Sequence, residues 1–173
     1  MAMNCPGYSA EFDPTQMFRD ILVPIDFTPE SRRALITACE LRNRFGSRVH
    51  LFVDTDYTDR SALRGIGVPY GHDEAVRNAR TQLEHFATSV CQSDHGLQTD
   101  AAFGHDVPKD IAEFAAAHGC TMVIMGVHHK HSWFRTRAEK IVRSLTIPVF
   151  VLQGQQLVAA EDTAATDAIP APA

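Results

Sequence analysis

Ile21-Leu22-Val23-Pro24-Ile25-Asp26-Phe27-Thr28-Pro29 sets five apolar residues against an abrupt polar close. A strand covered on both faces needs no polar alternation, so this run predicts a strand of the kind found in parallel sheets flanked by helices. Thr28 can cap a helix through its hydroxyl. Pro29 suits the first helical position, where its missing N–H would have no intrahelical partner. Strand, short loop and helix are therefore predicted in immediate succession.

Outward from this stretch the same alternation repeats. Ala34, Leu35, Ala38, Leu41 and Phe45 form a helical stripe that stops at Gly46. Thr121-Met122-Val123-Ile124-Met125 and Ile147-Pro148-Val149-Phe150-Val151-Leu152 are two further apolar runs. Val49, Leu51 and Val53 share one face of a strand, as do Leu97, Thr99, Ala101 and Phe103. A second helix carries Val76, Ala79, Leu83, Phe86 and Val90. A third begins near Pro108, buries Ile111, Phe114 and Ala115 and stops at Gly119. Ala138, Ile141, Val142 and Leu145 mark a fourth, which leaves Val127 to Thr136 as a loop. Five strands alternating with helices predict an α/β fold, a doubly wound five-stranded parallel sheet with helices on both faces, Rossmann-like. Pro148 cannot donate to a ladder, so the last strand lies at an edge or starts there.

The 173 residues suffice for one core. The domain is expected over residues 18–152, after an N-terminal extension, 1–17, and before a disordered C-terminal tail, 153–173, rich in Ala, Thr, Asp and Pro. No run reaches the roughly 20 apolar residues of a membrane span. Met1 to Tyr8 has neither the basic nor the apolar part of a secretory signal, so a cytoplasmic protein with no membrane partner is expected. Cys5, Cys39, Cys91 and Cys120 show no close pairing; reduced thiols, three of them packed, are expected. All 16 Lys and Arg lie between Arg19 and Arg143, and residues 18–152 hold 16 of the 21 acidic residues. The domain is thus neutral and the ends acidic, which argues against a nucleic-acid partner.

Ligands of doubly wound sheets settle beyond the carboxyl ends of the strands. That rule selects Asp26 and Thr28 after the first strand and Met125-Gly126 after the fourth. Asp26 can accept hydrogen bonds from sugar hydroxyls, or it can close an Asx turn within its own loop. Lys130, Arg135, Arg137, Lys140 and Arg143 outnumber Glu139 between Gly126 and Arg143. Two readings follow, a guanidinium site for a small anionic ligand and a solvated basic loop. His128, His129 and His131 are close in sequence, but adjacent histidines converge poorly and no metal site is predicted. Trp133 and Phe134 read as a hydrophobic anchor or partner contact. Thr28, Ser31 and Ser132 lack a nucleophile elbow, so no catalytic residue and no enzyme are predicted.

Several segments resemble the universal stress protein family. Ile21 to Thr28 is similar to its opening strand with a valine-proline-x-aspartate step, and Gly104 to Ile111 to its glycine-x-proline turn, with one extra residue. Met122 to Gly126 is similar to its strand ending in methionine-glycine, and Ala138 to Arg143 with Ile147 to Val151 to its closing helix and strand. The resemblance implies an adenine nucleotide alpha hydrolase-like fold and a stress-response regulatory role. ATP-binding members carry Gly-x-x-Gly, nine residues, then Gly-Ser or Gly-Thr. Here Gly126 is present, His129 stands at the second glycine, the loop is about four residues shorter, and Arg135-Thr136 replaces Gly-Ser. A Cβ at these positions opposes close approach of main chain to phosphates, so the usual ATP mode is not expected. The alternative is an ATP- or AMP-binding member with slow hydrolysis. Its candidate residues are Pro24, Asp26, Thr28, Val53, Met125 and Gly126, with His129, Arg135, Thr136 and Arg137 from the loop. The resemblance also implies a homodimer through the last strand, at Pro148, Val149, Phe150, Val151 and Leu152. The tail folding back over that edge is the other reading.

Overall fold

The structure is a computed structural model that describes residues 14–55, 72–91, 96–104, 106–127 and 132–153. A 3-10 turn, Pro14–Phe18, leads into strand β1, Asp20–Pro24, and then helix α1, Pro29–Phe45. Next come β2, Arg48–Asp54; α2, His72–Val90; and β3, Leu97–Ala102. The chain continues through α3, Val107–Ala117; β4, Met122–Val127; α4, Ser132–Ser144; and β5, Val149–Gln153. The five strands make one parallel sheet in the order β3-β2-β1-β4-β5.

Alternation along the central strands feeds two cores. Ile21 and Val23 of β1, with Ile25 beyond it, and Met122 and Ile124 of β4 join Ala34, Leu35 and Ala38 of α1 and Ala79, Leu83 and Ala87 of α2. Leu22, Val123 and Met125 face the other way, into Ile111, Phe114 and Ala115 of α3 and Ile141 of α4. Each fully buried aliphatic side chain stabilises the fold by about 2 kcal/mol. Helix α1 starts and stops as predicted. Thr28 Oγ1 accepts from the Ser31 amide at 3.2 Å, and Gly46, at φ 70°, closes the helix by donating to the Arg42 carbonyl at 2.8 Å. Pro148 sits immediately before β5, an edge strand, and its carbonyl accepts from Val123.

Two expectations are corrected. Helix α4 begins at Ser132, so Trp133 to Thr136 are helical and not loop; Ser132 to Ser144 contains no Gly or Pro to delay it. Residues 14–17, from the expected extension, join Phe18 in a 3-10 turn that packs Met17 and Phe18 on the α1 side. Cys39 and Cys91 are joined in a disulfide, because α1 and α2 lie side by side on one face and bring together residues 52 positions apart. Cys120 is a buried free thiol. Most of the connection from Asp54 to Asp73, with Gly65, Gly67 and Gly71, lies outside the described residues, as do Cys5, His128 to His131 and the tail after Gln153.

Candidate functional site

The sheet order places the topological switch at β1 and β4, whose crossovers leave toward opposite faces. Doubly wound sheets take ligands in the crevice outside the carboxyl ends at such a switch; here Asp26 follows β1, Gly126 is the fifth residue of β4, and both meet the start of α1. Asp26 Oδ1 accepts from the Thr28 amide at 3.1 Å and the Thr28 hydroxyl at 2.5 Å, an Asx turn that sets the cap of α1. Ser31 Oγ returns a bond to the Thr28 carbonyl at 3.1 Å. Phe27, between Asp26 and Thr28, is the one non-glycine among the described residues in the left-handed region, at φ 60°. Its ring packs edge-on against Phe86 of α2, with centroids 5.4 Å apart.

Gly126 packs onto the first turn of α1. A Cβ there would run into the carbonyl group of Glu30 and come within 2.7 Å of the Ser31 nitrogen. Its lack of a side chain is therefore explained by strand-to-helix approach. Pro24 ends β1 half-buried, whereas the side chains of Val53 and Met125 are buried in the two cores and can offer the crevice only main chain. Arg135, Thr136 and Arg137 belong to the first turns of α4. His129 lies outside the described residues.

Sequence reasoning missed Glu30, Asp54 and Asp110. Glu30 is buried in the first turn of α1, with Arg33 Nη2 3.7 Å from its carboxylate. Asp54 ends β2, much as Asp26 follows β1, and its Oδ1 accepts from the Gly104 amide at 3.4 Å. The Asp110 carboxylate fills the space a Gly104 Cβ would occupy, with Asp54 Oδ2 2.7 Å from the same point. An aspartate ending a second apolar strand was the available signal. Among the described residues no group of three His, Cys, Asp or Glu could hold a metal ion.

The amino ends of the strands are built differently. Asp20, 1% exposed, meets Arg48 Nε at 2.6 Å and Arg19 Nε at 2.9 Å, with His50 Nε2 3.6 Å away. Its amide donates to Thr121 Oγ1 at 3.1 Å, and Thr121 donates to the Met17 carbonyl at 2.9 Å. Burial acts to raise the Asp20 carboxyl, but hydrogen bonds from Arg48 and Arg19, with His50 alongside, outweigh it and hold it below its ordinary value. For His50 burial prevails over Asp20 and lowers the imidazole. Burial also pushes the Cys120 thiol up to about 11. A cleft of about 270 Å³ near this end, lined by Ala115, Cys120, Leu145 and Ile147 among others, has no charged side chain in its wall.

The family model of the universal stress proteins matches residues 17–153. The chain belongs to the universal stress protein family. A universal stress protein solved in complex with cAMP is 12% identical, with a TM-score of 0.56, over 80% of this chain and 98% of that one. The Archaeoglobus fulgidus universal stress protein in complex with dAMP is 18% identical, with a TM-score of 0.53, over 78% and 98%. A Burkholderia pseudomallei member is 19% identical, with a TM-score of 0.51, over 79% and 96%. At these identities the solved structures establish the universal stress protein fold, a five-stranded parallel sheet with helices on both faces. No curated protein matches the chain. No helix among the described residues is long and apolar enough to cross a membrane.

Proposed function

We propose that this universal stress protein is a cytoplasmic, homodimeric regulatory module that acts by binding and not by catalysis, without the glycine-gripped ATP mode of its family. The observation behind this reading is the packing of Gly126 on Glu30 and Ser31, together with His129 at the second glycine position. With bare main chain withdrawn, recognition of an anion at the crevice passes to side chains, and the basic residues 130–143 supply the charge. In this reading the Asp26 carboxylate accepts from a sugar hydroxyl.

The fold-mates solved with cAMP and dAMP favour a second reading, an adenosine monophosphate as the ligand. Thermal melts with and without Mg-ATP, AMP and cAMP separate the two, because a ligand at about 100 times its Kd adds about 2.7 kcal/mol. The first reading expects no shift with millimolar Mg-ATP. A shift with AMP or cAMP alone supports the second, and stoichiometric ATP released from the heat-denatured protein would overturn both.

Support for the homodimer comes from β5. Phe150 is 47% exposed and Val151 38% on an edge strand, one on each face of the sheet, an arrangement that invites strand pairing with a second copy. Val151→Lys is expected to give a monomer by sedimentation; an unchanged dimer would exclude this edge.

A further inference from the structure

Cys39 lies on the buried face of α1, and Cys91 is the first residue beyond α2. Their disulfide, with Cα atoms 6.4 Å apart, sits in the core on the α1 and α2 side of the sheet. The two residues are 8% and 5% exposed. Cys120 belongs to the opposite core, so the sheet itself separates it from the pair. Among the described cysteines, the fold therefore selects these two for each other.

What surrounds the bond leads toward the crevice. Arg32 of α1 donates to the hydroxyl and carbonyl of Ser89 at 3.4 and 3.3 Å, near the same end of α2. Phe86, just over one turn before Cys91, carries the edge-on contact with Phe27. The disulfide thus holds the last turns of α2 to α1, and those turns in turn hold the residue between Asp26 and Thr28.

We infer that Cys39 and Cys91 are a reversible thiol–disulfide pair that sets the order of the β1–α1 loop by fixing or freeing the end of α2. In the reducing direction a thiolate of a dithiol reductant attacks one sulfur, and the other leaves as a thiolate and takes up a proton. The reductant's second thiol then closes on its first sulfur and releases the remaining cysteine. Two electrons and two protons pass to the protein. In the oxidising direction one thiol, ionised to its thiolate, attacks hydrogen peroxide; the O–O bond breaks to leave a sulfenic acid, and the departing hydroxide takes up the thiol's proton as water, after which the second thiol displaces the sulfenic hydroxyl as a second water. Two thiols and one peroxide become one disulfide and two waters. Both sulfurs are buried, so exchange requires the end of α2 to open, and Cys91, already beyond the helix, is the sulfur that opening uncovers.

The test uses the full chain and does not depend on what the crevice binds. Samples treated with hydrogen peroxide or with dithiothreitol are desalted, alkylated and peptide-mapped, and amide hydrogen exchange is followed at Phe86–Val90, Asp26–Thr28 and β4. The peroxide sample is expected to yield the Cys39 and Cys91 peptides linked, and the reduced sample both alkylated. Exchange at the first two segments should rise roughly tenfold on reduction, with β4 unchanged. The Cys39→Ser/Cys91→Ser variant should match the reduced chain in either reagent; if it does not fold, the wild-type comparison decides. Free Cys39 and Cys91 after peroxide, or exchange indifferent to reduction, would overturn the pair. A rise confined to α2 would overturn its link to the loop.

Discussion

Asp20 opens β1 and Asp26 lies in the loop just beyond its other end, six positions on, and their surroundings differ in kind. Asp20 is sealed between guanidinium groups and Thr121, tying β1 to β2 and to the residue before β4. Asp26 is half-buried, and the hydrogen bonds to its Oδ1 come from Thr28 in its own loop. The amino end of the sheet spends its charged chemistry on holding strands together. The carboxyl end keeps a half-buried carboxylate in the loop that starts α1, while Gly126 packs on the first turn of the same helix.

Four measurements test that contrast. The largest effect is expected from Gly126→Ala, because a methyl group must displace the backbone of α1 at Glu30. A loss of about 3 kcal/mol, a fall in Tm of roughly 8 °C, is expected in thermal melts. Asp20→Ala should cost about 2 kcal/mol. That is less than for a pair buried on both sides, because Arg19 and Arg48 are 59% exposed and regain water. It should leave any nucleotide-induced rise in Tm intact. Asp26→Ala should do the reverse, costing about 1 kcal/mol of loop and cap stability while abolishing that rise. Equal stability losses for the two aspartates would erase the distinction between the ends.

The smallest effect concerns pH. His50 is lowered in the fold, so below the unfolded value of about 6.5 the unfolded chain takes up a proton that the folded chain refuses. The stabilisation is fully present above that value and is lost as pH falls toward the folded one. Asp20, also lowered, adds a loss only in the more acid range, below about 3.9. His50→Gln should therefore show a smaller fall in Tm between about pH 7.5 and about pH 5.5 than the wild type does. An identical fall would place the histidine effect elsewhere.

Much of this architecture was legible in the sequence because its signals are local. The apolar run at Ile21, the Thr28-Pro29 start and Gly46 stop of α1, and Pro148 before β5 each act within one element, and each is found where the residues put it. The start of α4 was not, since Ser132 to Arg137 carries neither a capping pattern nor an apolar stripe that periodicity could register. Long-range features were hidden for a different reason. The Cys39–Cys91 bond, the Asp20 cluster and the meeting of Asp54 with Asp110 join elements whose adjacency exists only once the sheet is ordered. At the crevice, the sequence pointed to Asp26 and Gly126, but that the glycine faces a helix backbone required coordinates.

The central position of β1 has a consequence for synthesis. Its neighbour on one side, β2, follows after a single helix, but its neighbour on the other side is β4, which meets Asp20 through Thr121 at a separation of 101 residues. A chain growing on the ribosome exposes that flank of β1 until most of the domain has been translated. The nascent protein thus carries an unpaired hydrogen-bonding edge until Met122 has been made and can pair with Ile21.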